Sequence, residues 1–126
     1  MKQIVDASVI LAYLLDEPGG DVMTTTDGPF CLSSVNLSEV LTKAIDKGLE
    51  TRSVMRVLTR LSVELAEYSR DDAELTAALR PATIHLGLSL GDRACLALAK
   101  RLALPVLTAE RSWARLDIGL DIHLIR

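Results

Sequence analysis

Four acidic residues stand at points of the chain where carboxylates could act together: Asp6, Glu39, Asp92 and Glu110. Asp6 lies between two apolar runs near the N-terminus, where a charge lowers stability unless it is used. Carboxylates that converge repel one another, so a pocket that they share needs a cation. Ligand sets made only of oxygen suit Mg²⁺ or Mn²⁺ rather than zinc. Such an ion can bind a phosphate oxygen and activate a water for attack on phosphorus.

The elements that would position these acids are short apolar runs that alternate with helical periodicity. The predicted strands are Gln3–Val5, Cys31–Ser33, Val63–Ala66, Pro105–Thr108 and Ile122–Ile125. The predicted helices are Ala7–Leu15, a turn around Val22, Asn36 to Gly48, Thr51–Leu61, Asp71–Leu79, Ser89–Leu102 and Glu110–Leu116. This alternation predicts an α/β fold, a three-layer α/β/α sandwich around a central, mostly parallel sheet.

In such a sheet, ligands bind outside the carboxyl ends of the strands, and all four acids map to that edge. Asp6 directly follows the first strand, and Glu110 follows the strand that ends at Thr108. We expect Glu39 and Asp92 in the first turns of their helices, where the helix dipole favours an ionised carboxylate. The topology therefore predicts one acidic pocket.

Each acid taken singly also has a structural interpretation. Asp6 could cap the helix that follows it. The stretch from Asn36 to Glu39 fits a capping box. Asp92 could be a favourable anion of a first helical turn, and Glu110 could be a surface charge. The sequence leaves these alternatives open. The expected position of all four acids at one edge of the sheet favours a shared acidic pocket.

Composition limits the class of protein. With 126 residues, 49% hydrophobic and only 3% aromatic, the chain is expected to form one domain over residues 1–126, with helices on a sheet. A net charge of -3 does not indicate nucleic-acid binding, although charge can be local. Cys31 and Cys95 have no metal-ligand spacing, which favours buried thiols in a reducing cytoplasm. The run from Val9 to Leu15 is too short to span a membrane.

Three stretches resemble the PIN-domain family, and within it the VapC-type ribonuclease toxins of toxin–antitoxin pairs: VDASVILAYLLDEPG, SSVNLSEVLTKAIDKG and LSLGDRACLALAKRLALPVLTAER. They cover most of the chain. The resemblance implies an endoribonuclease that depends on Mg²⁺ or Mn²⁺ and cleaves tRNA or other structured RNA. It also implies a homodimer and a cognate antitoxin whose C-terminal segment blocks the acidic pocket. Operator DNA would be bound only through the antitoxin.

The same resemblance assigns roles to residues. It makes Asp6, Glu39 and Asp92 metal-binding acids, with Ser8 and Thr108 as supporting hydroxyls. The family commonly has aspartate after LTA, whereas this chain has Glu110, and Asp117 is a second candidate for the fourth acid.

Local positive charge near the acids would bind RNA phosphate, and Arg93, Arg111 and Arg115 are the expected donors. An ordinary solvated helix face is the alternative for these arginines.

Two other functions compete with the nuclease. One is a non-catalytic module that binds metal, RNA or protein, since the fourth acid departs from the family pattern. The other is phosphoryl transfer through a nucleophilic aspartate at Asp6. Phosphatases of that kind usually carry a second aspartate two residues later, where this chain has Ser8.

Overall fold

Five short parallel strands form the centre of the molecule in the computed structural model, which describes all residues from 1 to 126. They are β1 (Gln3–Val5), β2 (Phe30–Ser33), β3 (Val63–Ala66), β4 (Val106–Thr108) and β5 (Ile122–Leu124). The spatial order is β3-β2-β1-β4-β5, and every neighbouring pair is parallel. The predicted parallel sheet is confirmed, with no antiparallel strand.

Seven α-helices and two 3₁₀ helices connect the strands. They are α1 (Ala7–Leu14), α2 (Val22–Thr25), α3 (Ser34–Asp46), α4 (Thr51–Arg60), α5 (Arg70–Ala78), α6 (Arg80–Thr83), α7 (Leu90–Leu102) and the 3₁₀ helices Ile84–Leu86 and Arg111–Arg115. The predicted helices are present, but α6 and the 3₁₀ helix after it were not predicted. None of the helices has the length and apolar character that crossing a membrane requires.

Helix α3 begins two residues earlier than predicted. The hydroxyl of Ser33 accepts a hydrogen bond from the backbone N–H of Val35, so the last residue of β2 is itself the N-cap. The helix ends at Asp46, and Gly48 follows the C-cap Lys47 with a positive φ of 78°, which suits the predicted closing glycine. Glu39 is therefore the sixth residue of α3, in its second turn.

Alternation along the strands builds the three layers. Ile4 and Val106 face one apolar cluster, which contains the buried middle of α7 and Trp113. Val5 and Leu107 face a second cluster, formed with α1, α3 and α4. The predicted α/β/α sandwich is confirmed. Cys31 and Cys95 are free and buried, as predicted.

The strand order changes direction beside β1. From β1 the chain proceeds to β2 and β3 on one side, and then returns to place β4 and β5 on the other. The carboxyl ends of β1 and β4 consequently flank a topological switch point, which is where open parallel sheets form their ligand crevice.

Candidate active site

A pocket of about 210 Å³ opens at this switch point and contains all four predicted acids. Its lining residues are Asp6, Ala7, Ser8, Leu11, Glu39, Lys43, Asp92 and Glu110. The acids come from four places in the chain: the end of β1, α3, the start of α7 and the segment after β4. The sheet edge brings them together as the sequence predicts.

Asp6 is the buried acid of this pocket, with 3% of its surface exposed. Its Oδ2 accepts hydrogen bonds from Ser8 Oγ at 2.7 Å and from Thr108 Oγ1 at 3.1 Å. Ser8 Oγ also accepts from the N–H of Ala109, and Thr108 Oγ1 from the N–H of Glu110, both at 3.0 Å. The two hydroxyls thus hold Asp6 and the segment that carries Glu110 in one network.

The pKa of Asp6 is raised to about 6. Burial is the largest cause, because it disfavours the charged form, and the nearby charges of Asp92 and Glu39 raise the pKa further. The hydrogen bonds from Ser8 and Thr108 oppose this shift without cancelling it. Asp6 occupies the N-cap position of α1, as the capping alternative expected, but its side chain makes no capping hydrogen bond, so capping does not account for its carboxylate.

Glu39 is held by the buried side chain of Asn36. Asn36 Nδ2 donates to Glu39 Oε1 at 2.8 Å and to the carbonyl of Gly91 at 3.0 Å, which ties α3 to the first turn of α7. A Cβ on Gly91 would overlap the Glu39 carboxylate. Because Ser33 caps the helix, Asn36 is not its N-cap, and the capping box predicted from Asn36 to Glu39 is wrong.

Asp92 has a structural partner as well as a place in the pocket. Its Oδ2 accepts from the N–H of Ser89 at 2.9 Å, and Ser89 Oγ accepts from the N–H of Asp92. This reciprocal pair is the capping box of α7, so the interpretation of Asp92 as a first-turn anion is confirmed. The capping role is compatible with a site role, because Asp92 also lines the pocket.

Glu110 occupies the fourth position of the pocket. It is exposed, and it follows Thr108 and Ala109 at the end of β4. Asp117 is also exposed but does not line the pocket. The geometry therefore favours Glu110 over Asp117 as the fourth acid.

The donor chemistry of the pocket fits a hard divalent cation, since its four acidic side chains offer only oxygen. Oδ1 of Asp6 accepts no hydrogen bond from the protein, which leaves one oxygen of the buried carboxylate uncommitted. As the side chains are placed, however, no three His, Cys, Asp or Glu residues form a set that could hold a metal ion. Asn36 holds one carboxylate oxygen of Glu39, and the N–H of Ser89 holds one carboxylate oxygen of Asp92.

None of the three arginines that the sequence singled out lines the pocket. Arg93 donates from Nη1 to the carbonyl of Thr76 at 2.9 Å, so its guanidinium is bound to α5. Arg111 and Arg115 are exposed on the 3₁₀ helix that follows Glu110. The cation that lines the pocket is Lys43.

Sequence reasoning missed Asn36, Gly91 and Lys43 as site residues. The sequence could have indicated Lys43, because this residue stands four positions after Glu39 and therefore shares its helix face. No sequence pattern could have indicated the contact of Asn36 with Gly91, since 55 positions separate the two residues.

Fold and pocket together define a parallel α/β protein with an acidic crevice at its switch point. The chain belongs to the PIN-domain family, whose model matches residues 4–119. No curated protein matches the chain.

Solved structures share this fold over nearly the whole chain. A toxin–antitoxin complex from Klebsiella pneumoniae has a chain 21% identical with a TM-score of 0.77, covering 99% of this chain and 98% of that one. A chain of DNA-bound VapBC from Salmonella typhimurium is 21% identical with a TM-score of 0.71, and the match covers 100% of this chain and 99% of that one. VapC20 from Mycobacterium tuberculosis is a toxin that cleaves the sarcin-ricin loop. It is 12% identical with a TM-score of 0.73, and the match covers 92% of this chain and 97% of that one. At these identities the likeness establishes a common fold.

Proposed function

We propose that this protein is an endoribonuclease toxin of a type II toxin–antitoxin pair that depends on Mg²⁺ or Mn²⁺ and cleaves structured RNA such as tRNA. The observation that carries the proposal is the meeting of four carboxylates around one pocket at the switch point of a PIN fold. VapC members of this family are generally nucleases, and PIN nucleases generally use divalent metals.

In this proposal, Asp6, Glu39, Asp92 and Glu110 hold the ion. A bound ion would supply a Lewis acid for a phosphate oxygen and would lower the pKa of a water so that it can act as nucleophile. The chain's own part is to keep Asp6 ionised at neutral pH despite its burial, and to keep its Oδ2 fixed by Ser8 and Thr108.

Exposed cationic side chains would bind the phosphates of the RNA. Arg111 and Arg115 remain predicted phosphate contacts, because they lie exposed just beyond Glu110. The bond from Arg93 to the Thr76 carbonyl favours a packing role for that residue.

An RNA cleavage assay tests the proposal. The purified chain should cleave structured RNA with Mg²⁺ or Mn²⁺ and stop in EDTA. Asp6→Asn should lower the rate by at least about a hundredfold, because it removes a charged ligand from the centre of the site. Asp117→Asn removes an exposed acid outside the pocket and should cleave like the parent. Equal rates for Asp6→Asn and the parent would contradict the nuclease assignment.

The positions of Glu39 and Asp92 favour one competing function, a module that binds without turnover. Both carboxylates already have hydrogen-bond partners within the protein, as groups with a positioning role would. Calorimetric titration with Mn²⁺ beside the cleavage assay separates the two functions. Binding of Mn²⁺ or RNA with no detectable cleavage would favour the module.

The partner in this proposal is a cognate antitoxin, and the toxin itself is a cytoplasmic homodimer that meets operator DNA only through that antitoxin. The similar structures support the pairing, since several of them are VapBC complexes and some are bound to DNA. Expression of the chain alone should arrest growth of its host, and Asp6→Asn should relieve the arrest. Growth unaffected by the active chain would argue against a toxin.

A further inference from the structure

A second groove, of about 270 Å³, adjoins the acidic pocket. Its lining residues are Ser8, Leu11, Leu15, Glu17, Lys43, Lys47 and Arg126. Ser8, Leu11 and Lys43 line both cavities, so the groove is a direct continuation of the pocket. The acid-lined pocket therefore opens into a path that carries positive charge.

One face of α3 forms the boundary between the two cavities. Glu39 and Lys43 lie on one face of α3, four residues and about 6 Å apart along its axis, and Lys47 follows four residues later as the C-cap of the helix. Both lysines are exposed, and no ion pair involves either of them. Their ammonium groups are therefore available to a ligand.

The far side of the groove has a third cation. Arg126 donates from Nη1 to the carbonyl of Pro18 at 2.9 Å and lies 3.6 Å from Glu17 Oε1. This arginine is partly neutralised by Glu17, so most of the unpaired positive charge of the groove belongs to Lys43 and Lys47.

An acidic pocket repels a polyanion, and the net charge of the whole chain is -3. A nucleic acid that delivers one phosphate to the pocket must consequently gain its affinity from cations next to it. We infer that the groove lined by Lys43 and Lys47 binds the RNA backbone phosphates adjacent to the phosphate held in the acidic pocket. This inference rests on the proposed function and adds the side from which the RNA strand enters the site.

The test measures RNA binding apart from cleavage. Fluorescence anisotropy of a labelled single-stranded RNA oligonucleotide is followed in the Asp6→Asn background, with and without Lys43→Gln/Lys47→Gln. The lysine changes should weaken binding by at least about tenfold at low salt. They should also reduce the slope of log affinity against log salt by about 1.4, since each contact to a single strand contributes about 0.7.

Two further variants make the result specific. Lys43→Arg/Lys47→Arg keeps both charges and should restore binding. Arg56→Gln/Arg60→Gln also removes two charges, from exposed positions of α4 outside both cavities, and controls for net charge. Unchanged affinity and salt slope in Lys43→Gln/Lys47→Gln would overturn the inference, as would an equal loss in Arg56→Gln/Arg60→Gln.

Measuring cleavage by the parent chain distinguishes a failure of this inference from a failure of the proposed function. If the parent cleaves RNA and the lysine variant cleaves with the same KM, the inference fails and the nuclease stands. If the lysines are needed for binding and the parent never cleaves, the nuclease fails and the groove stands as an RNA-binding site.

Discussion

Asp6 occupies a position that costs the fold free energy. Burial of its carboxylate, with a smaller contribution from the charges of Asp92 and Glu39, raises the pKa of Asp6 to about 6. The hydroxyls of Ser8 and Thr108 recover part of that cost by donating to Oδ2. A chain selected only for stability would have an uncharged residue here, so the structure indicates that Asp6 is kept for its charge.

The first prediction concerns the stability of Asp6→Asn. The folded pKa of Asp6 lies above the unfolded value of about 3.9, so the folded state holds its proton to higher pH. The stability of the parent should therefore fall, relative to the variant, as pH rises from about 4 to about 6, and the difference should stay constant above that.

Without metal, Asp6→Asn should be more stable at pH 7.5 by about 1–3 kcal/mol and nearly equal to the parent at pH 4. Urea denaturation in EDTA at several pH values measures this. Ser8→Ala provides the opposite control, because it removes a donor from Asp6 and should destabilise the protein at neutral pH. A variant less stable than the parent at pH 7.5 would contradict the account of Asp6.

At the scale of elements, the site depends on how closely α3 approaches α7. Asn36 joins the two helices, and the absence of a side chain at Gly91 leaves room for the Glu39 carboxylate. Asn36 Oδ1 is buried with no hydrogen-bond partner, so this contact is not optimal for stability alone. The contact therefore points to a positioning role for Asn36 toward Glu39.

The second prediction tests that close approach with Gly91→Ala. Alanine is a better helix former than glycine by about 1 kcal/mol, and the exposed end of Glu39 can move away, so stability should change by no more than about 1 kcal/mol. Mn²⁺ affinity and cleavage should nevertheless fall by about tenfold or more, because Glu39 is displaced.

A double-mutant cycle with Glu39→Gln provides the control. In that background, Gly91→Ala should add little to the loss of Mn²⁺ affinity, since the ligand it displaces is already weakened. Fully additive losses would show that Gly91 acts through something other than Glu39.

The third prediction concerns the ion pair between Asp72 and Arg101, which joins α5 to α7. Asp72 is 1% exposed and accepts from Arg101 and from the backbone N–H of Ser69. Burial would raise the pKa of Asp72, but hydrogen bonds from Arg101 and Ser69 outweigh it, and the pKa is lowered. The pair therefore contributes stability above the unfolded pKa of about 3.9, and this contribution is lost as pH falls through the lower folded value.

Asp72→Asn should lower the free energy of unfolding at pH 7 by about 2 kcal/mol. This loss is smaller than the loss expected when a fully buried ion pair is broken, because a third of the Arg101 side chain is exposed. The difference should shrink below pH 4, as measured by urea denaturation. Glu74→Gln breaks the exposed pair of Arg70 with Glu74 and should change stability by less than about 0.5 kcal/mol. A loss that is the same at pH 3 and pH 7 would exclude the ion pair as its cause.

At the scale of the whole molecule, the proposed ion would be linked to folding, because the four acids meet only in the folded chain. A ligand that binds only the folded state stabilises it by about 2.7 kcal/mol at a hundredfold excess over Kd. Under the proposed function, metal concentration would therefore change global stability.

The fourth prediction is a rise in Tm of several degrees when Mn²⁺ is added to the parent chain at neutral pH. Asp6→Asn should show little or no rise, although it starts from a higher Tm. Differential scanning calorimetry with EDTA and with Mn²⁺ measures both. An equal rise in the two proteins would place the bound ion outside the acidic pocket.

Local pattern in the sequence determined much of this molecule. Alternating apolar runs and helical periodicity predicted the strands, the main helices and the three layers, because burial of one face leaves a short-range signature. The same pattern located Asp6, Asp92 and Glu110 at strand ends or in a first helical turn. The start of α3 was misplaced because Ser33 serves both β2 and the cap of the helix.

Only the tertiary structure decided how these parts meet. It placed β4 beside β1, so that Thr108 reaches Asp6 across 102 residues, and it brought Asn36 to Gly91. It also turned Arg93 toward α5 and left Lys43 as the cation of the pocket. The physical reason is that strand order and helix approach depend on contacts between residues far apart in the chain, which no local periodicity encodes.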